Sequence, residues 1–320
     1  MILNTEIETM DNDARTSLQS QKFQTTIERV YEKTQFYYER FHAIGLSPAN
    51  IKSIHDIHKL PFTTTTDLAN NYPFGFLTMP VSGVARFEQT PDLGIAVGLT
   101  SRDIIGQQEM IARSLVSCYI TITSVLMNIG NSPLSISARS LEQSAEMLGI
   151  TVVANEANNF KNSFLNILNF GVTTIFSAPD TLLIFADFLL KNGIEIPNLP
   201  LMSLICEEQK CSEDLRKELT EKFQVPVYTI YGNSNVLSLG IAGECHMRQG
   251  LHVQDDHFYA EIINPDTGIV LKDQQQGELV ITTISREAAP LIRFRTGDKA
   301  VITHEKCSCG RTSPRIIFIP

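Results

Sequence analysis

The chain has 320 residues, 43% hydrophobic and 19% charged, with a formal net charge of −9. This is a globular composition, long enough for a large core and more than one subdomain. With no basic stretch long enough to follow a phosphate backbone, a nucleic-acid partner is excluded. The start, "MILNTEIETMDNDARTS", lacks the basic and apolar runs of a secretory leader, and stretches such as "TLLIFADFLL" are too short and interrupted to span a bilayer. A cytoplasmic protein with no membrane partner is expected.

In chain order, Phe23, Ile27, Val30 and Tyr31 recur at helical spacing and predict one helix over 18–45, ended by Gly45. Ser47-Pro48 starts a short helix, and Thr65 with Asp67 starts another that ends near Pro73 and Gly75. From about 100 to 240, helical and apolar-strand segments alternate. Gly149, Gly171 and Gly193 close helices, and Asp180 is the expected cap of "DTLLIFADFLLKNG". Such alternation predicts a parallel sheet covered by helices. After about 245 come β-runs: "HFYAEIINPDTGIVL", a hairpin signal around Asp266-Thr267-Gly268, then "GELVITTI" and "PLIRFRTGDKAVITH". The expected organisation is an N-terminal helical segment packing on the core (1–80), an α/β parallel-sheet subdomain (81–242) and a β-rich subdomain (243–320). The segment "VYTIYGNSNVLSLG" reads as a strand broken at Tyr231-Gly232. Its end is where an α/β fold places ligands, yet it offers Asn233, Ser234 and Asn235 with no charge.

The six cysteines are too sparse for a disulfide scaffold. Cys118, Cys206 and Cys211 stand apart in apolar or helical contexts. Cys245-x6-His252 and Cys307-x-Cys309 form two pairs of soft donors. By spacing alone they are equally four unconnected residues, and His246 and His304 are further candidates.

Four stretches, "LPFTTTTDLANNYPFG" (60–75), "YGNSN" (231–235) followed by "GEC", "DDHFYAEIINPDTG" (255–268) and "PLIRFRTGD" (290–298) followed by "CSCGRT", stand in an order that resembles the phenylacetate–CoA ligase family of the adenylate-forming superfamily. The resemblance runs from about residue 15 to 316. It implies the layered α/β fold of adenylate-forming enzymes. It also implies an AMP-forming acid–thiol ligase that activates an aryl acid with ATP and magnesium and passes the acyl group to coenzyme A. It further suggests a structural zinc on Cys245, His252, Cys307 and Cys309.

Matched motif by motif, the resemblance is uneven. The family's Gly/Ser/Thr-rich phosphate loop with its lysine falls on "EQTPDLGIAV" (88–97), which is shorter, has no lysine and carries Glu88 and Asp92. Acids facing a triphosphate repel it, so an ordinary surface turn is expected there. Tyr231, Gly232 and Ser234 match Tyr-Gly-x-Ser/Thr-Glu, but Asn235 stands at the magnesium acid. The adenine-lining Gly-Ala-Glu-Pro falls on Cys206-Glu207-Glu208-Gln209, which keeps only Glu208. Asp298 matches the ribose acid and is equally a turn acid in a β-corner. The mobile C-terminal catalytic domain and its lysine are expected to be absent, since the sequence stops at Pro320.

Two readings follow. One is a non-catalytic relative that binds a small aromatic or acyl ligand, or a partner protein, with nucleotide contacts at most at Glu208, Tyr231, Gly232, Ser234, Asn235 and Asp298. A homodimer is a candidate assembly. The other is an acyl- or aryl-CoA ligase completed by a partner chain that carries the missing domain, with Glu208 or Asp256 holding magnesium. A serine or cysteine acyltransferase lacks its nucleophile-elbow signature.

Overall fold

The computed structural model describes residues 1–89, 94–130, 136–156, 159–207 and 211–319. The helices are α1 (Thr5–Glu8), α2 (Asn12–Lys33), α3 (Gln35–Ala43), α4 (Thr65–Asn70), α5 (Ser101–Ser117), α6 (Ile136–Met147), α7 (Phe160–Phe170), α8 (Pro179–Lys191) and α9 (Glu213–Phe223). The strands are β1 (Arg86–Gln89), β2 (Ala96–Leu99), β3 (Val125–Asn128), β4 (Thr151–Val153), β5 (Thr174–Phe176), β6 (Ser203–Glu207), β7 (Val227–Asn233), β8 (Leu237–Glu244), β9 (Leu251–Val253), β10 (Phe258–Ile263), β11 (Gly277–Thr283), β12 (Phe294–Thr303) and β13 (Arg315–Phe318). The chain divides into two compact units: a parallel unit of Met1–Leu3, Gln107–Gly232 and Ser238–Leu251, and an antiparallel unit of Asn4–Gly106, Asn233–Leu237 and His252–Pro320.

In the parallel unit the strands lie in the order β8-β7-β6-β5-β3-β4. The pairs β3–β4, β3–β5, β5–β6 and β6–β7 are parallel. Helices follow the strands in βαβ fashion, as the alternating sequence predicts. Parallel strands covered on both faces are continuously apolar, and every residue of β5 and β7 is buried. One face receives Leu182, Phe185, Ala186 and Leu189 of α8, spaced i, i+3, i+4, i+7, against Ile175, Leu204 and Val227. The other receives Ile111 and Leu115 of α5 and Leu141 and Ala145 of α6 against Leu126, Phe176, Ile205 and Ile230. Gly171 ends α7 in the left-handed conformation, with φ of 64°, as the sequence predicts. Asp180 is not the cap of α8: Ala178 holds that position, Pro179 takes the first helical residue, and Asp180 sits in the first turn, where the helix dipole favours an acid.

The antiparallel unit carries the sheet β10-β11-β12-β13, all neighbours antiparallel, and the separate β1–β2 hairpin. The single helix expected over 18–45 is two. Thr34 adopts extended backbone at φ −125°, ends α2, and turns its side chain to accept from Tyr37 N at the start of α3. The Tyr37 hydroxyl accepts from Ile292 N at 2.9 Å and bonds Thr63 Oγ1 at 3.1 Å, and burial pushes its pKa far up. The predicted hairpin turn is present: Asn264 Oδ1 accepts from Asp266 N and Thr267 N, both at 3.0 Å, and Gly268 has φ of 70°. Its second arm is only a bridge, Ile263 to Val270. Among the described residues no helix is long and apolar enough to cross a membrane.

The "GEC" glutamate is structural. Arg216 of α9 donates from Nη1 to Glu244 Oε1 at 2.8 Å and Oε2 at 2.9 Å, and Thr229 N of β7 donates to Oε2 at 2.8 Å. Burial raises the Glu244 pKa, and Arg216 works against that. Arg216→Met strands a buried carboxylate, so it is expected to destabilise the protein by about 3–5 kcal/mol, read as a lowered urea midpoint, and Arg216→Met with Glu244→Gln is expected to recover part of that loss.

Candidate functional site

The turn at 231–235 differs from its sequence reading. β7 continues through Tyr231 and Gly232 to Asn233, so Tyr231-Gly232 does not break the strand. Tyr231 is completely buried. Gly232 is required by a close approach: a Cβ there would lie 2.1 Å from the Ser238 carbonyl oxygen. The turn follows one step later, where Asn235 N donates to Asn233 Oδ1 at 3.1 Å and Val236 N to Asn233 O at 2.8 Å. Ser234 is half-buried beside them. Asn235 is half-buried too, and its Oδ1 is covered, with no hydrogen-bond partner among the described residues. It is a neutral acceptor at the position where the resemblance implies a magnesium acid.

Within 88–97 the described ends are strand: Glu88 of β1 lies opposite Val97 of β2, and Gln89 opposite Ala96. Glu88 is only 4% exposed and lies 3.3 Å from Arg86 Nη2. Gly94 turns the chain at φ of 63° and its carbonyl accepts from Gln89 Nε2 at 3.1 Å. Asp92 lies outside the described residues, as does Glu208.

Behind the hairpin stands a polar network that the sequence reading missed. Thr100 and Asp103 form a reciprocal cap on α5: Asp103 Oδ2 accepts from Thr100 N at 2.9 Å, and Thr100 Oγ1 from Asp103 N at 3.0 Å. The same carboxylate accepts from Glu287 N at 2.8 Å and Ala288 N at 3.1 Å. Arg286 is buried; burial pulls its pKa down, and Asp103 and Glu88 hold it up. "TSRD" carries the capping-box spacing, so this cap was readable; the partners near 287 are 184 residues away and were not.

Asp298 sits on a β-bulge. The register of β11 with β12 shifts between Glu278 and Val280, and residues 296–298 take up the excess. Gly297 reaches φ of 80°, its N donates to Glu278 Oε1 at 3.3 Å, and Asp298 N donates to Thr296 Oγ1 at 3.1 Å. Asp256, the other magnesium candidate, is buried, 3.3 Å from His257 Nε2.

His252, Cys307 and Cys309 come together in the antiparallel unit, their ligand atoms within 4.8 Å of one another. His252 Nε2 is 3.4 Å from Cys309 Sγ, and its Nδ1 is 3.3 Å from Ser313 Oγ, a partner that orients the ring. Burial works to lower the His252 pKa, but its bonds to both thiols outweigh this and raise it; the His252 bond holds the Cys307 thiol down. Two soft sulfurs and one imidazole suit zinc. Cys245 is buried just after β8 in the parallel unit, whereas His304 is engaged by Asp273 at 2.7 Å.

Cavities among the described residues of the antiparallel unit include a nook and a larger cleft. A nook of about 30 Å³, room for one water, is lined by Leu68, Phe76, Val97, Asn235 and Leu291. A cleft of about 330 Å³, on the scale of a small ligand, is lined by Arg15, Asp255, Tyr259, Glu261 and His304 among others. Asp298 lines neither. Asp103→Ala would leave three backbone N–H groups without their acceptor; a loss of at least about 2 kcal/mol is expected in chemical denaturation, well beyond that of an exposed acid such as Asp13.

No family model matches the chain. It is 32% identical over 320 residues to the phenylacetate-coenzyme A ligase of Thermus thermophilus, covering 99% of this chain and 72% of that protein. It is 31% identical over 306 residues to the Escherichia coli phenylacetate-coenzyme A ligase, covering 93% and 70%. Among solved structures, an open conformation of 2-hydroxyisobutyryl-CoA ligase, complexed with 2-HIB-AMP and CoA, superposes with a TM-score of 0.89 at 20% identity, over 97% of this chain and 71% of that one. An amide bond synthetase from Marinactinospora thermotolerans superposes with 0.53 at 18% identity, over 74% and 49%.

Proposed function

The chain belongs to the phenylacetate–CoA ligase family, and from that premise we propose that it is a relative that binds a small aromatic or acyl molecule and does not adenylate an acid by itself. The observation that carries this reading is Asn235. Magnesium is a hard cation held through carboxylates and phosphates, and an amide carbonyl brings it no charge. The neighbouring hairpin supports the reading. Its one described acid, Glu88, is buried beside Arg86, so neither an acid nor a lysine of β1 or β2 is presented to a triphosphate.

A second reading, an AMP-forming aryl-CoA ligase, is favoured by the family itself and by Asp298, which the sequence resemblance matches to the ribose acid. Magnesium-dependent ATP–pyrophosphate exchange with phenylacetate separates the two. No exchange above the protein-free blank is expected, together with no heat on titrating ATP and magnesium. Exchange that needs both the acid and magnesium would overturn the first reading and install the second.

The cluster of His252, Cys307 and Cys309 is proposed to hold a structural zinc, with Cys245 the fourth ligand that the sequence offers. Elemental analysis is expected to find about one zinc per chain. Cys307→Ser is expected to lose the metal and to lower the melting temperature by several degrees, as a strong chelator should on the parent protein. A metal-free protein of unchanged melting temperature would remove the proposal.

A further inference from the structure

Away from the turn at 231–235 and from the sulfur cluster, a hydroxyl, an imidazole and a carboxylate stand in line within the antiparallel unit. Ser285 Oγ lies 2.6 Å from Nδ1 of His257, and the other ring nitrogen, Nε2, lies 3.3 Å from Asp256 Oδ2. His257 belongs to the connection from β9 to β10, and Ser285 to the bend after β11. The two segments are tied together, since Ile284 N donates to the His257 carbonyl at 2.9 Å. Asp256 is buried, and its carbonyl accepts from Lys22 Nζ of α2 at 2.6 Å. His257 and Ser285 are half-buried and keep part of their surface in solvent. α5 leaves room for the ring: a Cβ on Gly106 would stand 3.2 Å from His257 Cε1. Glycine is a poor helix former, and this close approach gives its place inside α5 a packing reason.

We propose that Ser285, His257 and Asp256 form a hydrolytic centre for activated acyl compounds, esters or thioesters with a good leaving group. With the Nε2 proton of His257 turned to Asp256, Nδ1 is the lone-pair nitrogen that receives the Ser285 hydroxyl. A hydroxyl is a weak nucleophile until such a base takes its proton. Ser285 Oγ attacks the acyl carbon as its proton passes to Nδ1. The bond from the acyl carbon to the leaving group breaks, and that group departs with the proton, which leaves an acyl-serine. Water then repeats the sequence. Its proton passes to Nδ1, its oxygen bonds the acyl carbon, the carbon–Oγ bond breaks, and Oγ takes the proton back. One water is consumed, and the acid and the free alcohol or thiol are released. The amide N–H groups of Ser285 and Arg286 have no acceptor among the described residues. The N–H of a nucleophilic serine, or of the residue after it, is a recurrent donor to the oxyanion of such a step. Asp256 touches no substrate; it is a positioning residue that fixes the tautomer and angle of the ring. No Gly-x-Ser-x-Gly elbow carries Ser285, so the fold shows this group where spacing does not. The step uses neither ATP nor magnesium and stands apart from the adenylation readings.

The purified chain is incubated with a fluorophosphonate, digested and weighed, and its hydrolysis of p-nitrophenyl acetate is followed in parallel. An adduct is expected on Ser285, and none there when the protein is first unfolded in urea. Ser285→Ala is expected to lose the adduct and the hydrolysis, and His257→Gln to slow both by about 100-fold or more. Asp256→Asn is expected to lower kcat at unchanged KM, and Asp256→Glu to restore part of that rate. Circular dichroism checks the fold of each variant, and the adduct on the parent protein needs no variant at all. A folded parent protein whose Ser285 stays unmodified, or a folded His257→Gln protein labelled there at the parent rate, overturns the proposal.

Discussion

A carboxylate taken out of water must meet a donor of comparable strength, and in this molecule that donor is repeatedly arginine. Glu244 meets Arg216 in the parallel unit. In the antiparallel unit Glu8 meets Arg311, Glu88 meets Arg86, Asp255 meets Arg15, Glu261 meets Arg293 and Glu278 meets Arg295. The guanidinium fork suits this role because it offers several donors in one plane. Arg293 shows how far the role extends. Besides Glu261 it donates to the His58 and Leu60 carbonyls, and it lies over the Phe62 ring at 4.0 Å. One side chain thus holds β10, the segment before α4 and its own strand connection. Acids engaged in this way position backbone and are withdrawn from metal chemistry.

The same constraint shapes the region where a triphosphate would be expected. A phosphate-binding loop works by aiming unpaired N–H groups and a cation outward. The β1–β2 hairpin pairs its backbone internally, and its base is neutralised from within by Arg86, Glu88 and, through space, Arg286. At the start of α5, the helix N-terminus that could attract an anion is already satisfied by Asp103. Each feature has a plain structural purpose, and together they leave that surface without an outward positive charge from the hairpin strands.

How much of this was legible depended on the range of the interactions. The alternation of helix and strand, the stop at Gly171 and the Asn264–Gly268 turn were readable because each is settled within a few residues. The interruption at Thr34 was hidden because the apolar period carries through α2 into α3; only the cap shows the break. Tyr231-Gly232 resembled a strand end because glycine usually breaks strands, whereas here Gly232 lets the Ser238 backbone approach within a continuing strand. Glu88 resembled an exposed acid because sequence carries no sign of burial, and its partner two residues away lies on the same strand face. The His252, Cys307 and Cys309 grouping was suggested by donor type and family resemblance; the ring-orienting Ser313 could not be found by spacing.

Hard and soft chemistry part company in this chain. The position that the family resemblance assigns to a hard cation carries an amide whose oxygen is covered and has no hydrogen-bond partner among the described residues, beside a nook lined by leucine, phenylalanine and valine. The soft donors, by contrast, are assembled and supported: Cys309 Sγ also accepts from Arg311 N at 3.5 Å, and Arg311 is held by Glu8. A buried network kept this complete holds its geometry whether or not the turn at Asn235 carries charge, because its hydrogen bonds run to α1 and the segment before β13 and not to that turn. The fold can therefore tolerate a neutral residue at the Asn235 turn without loss of order at the His252, Cys307 and Cys309 cluster.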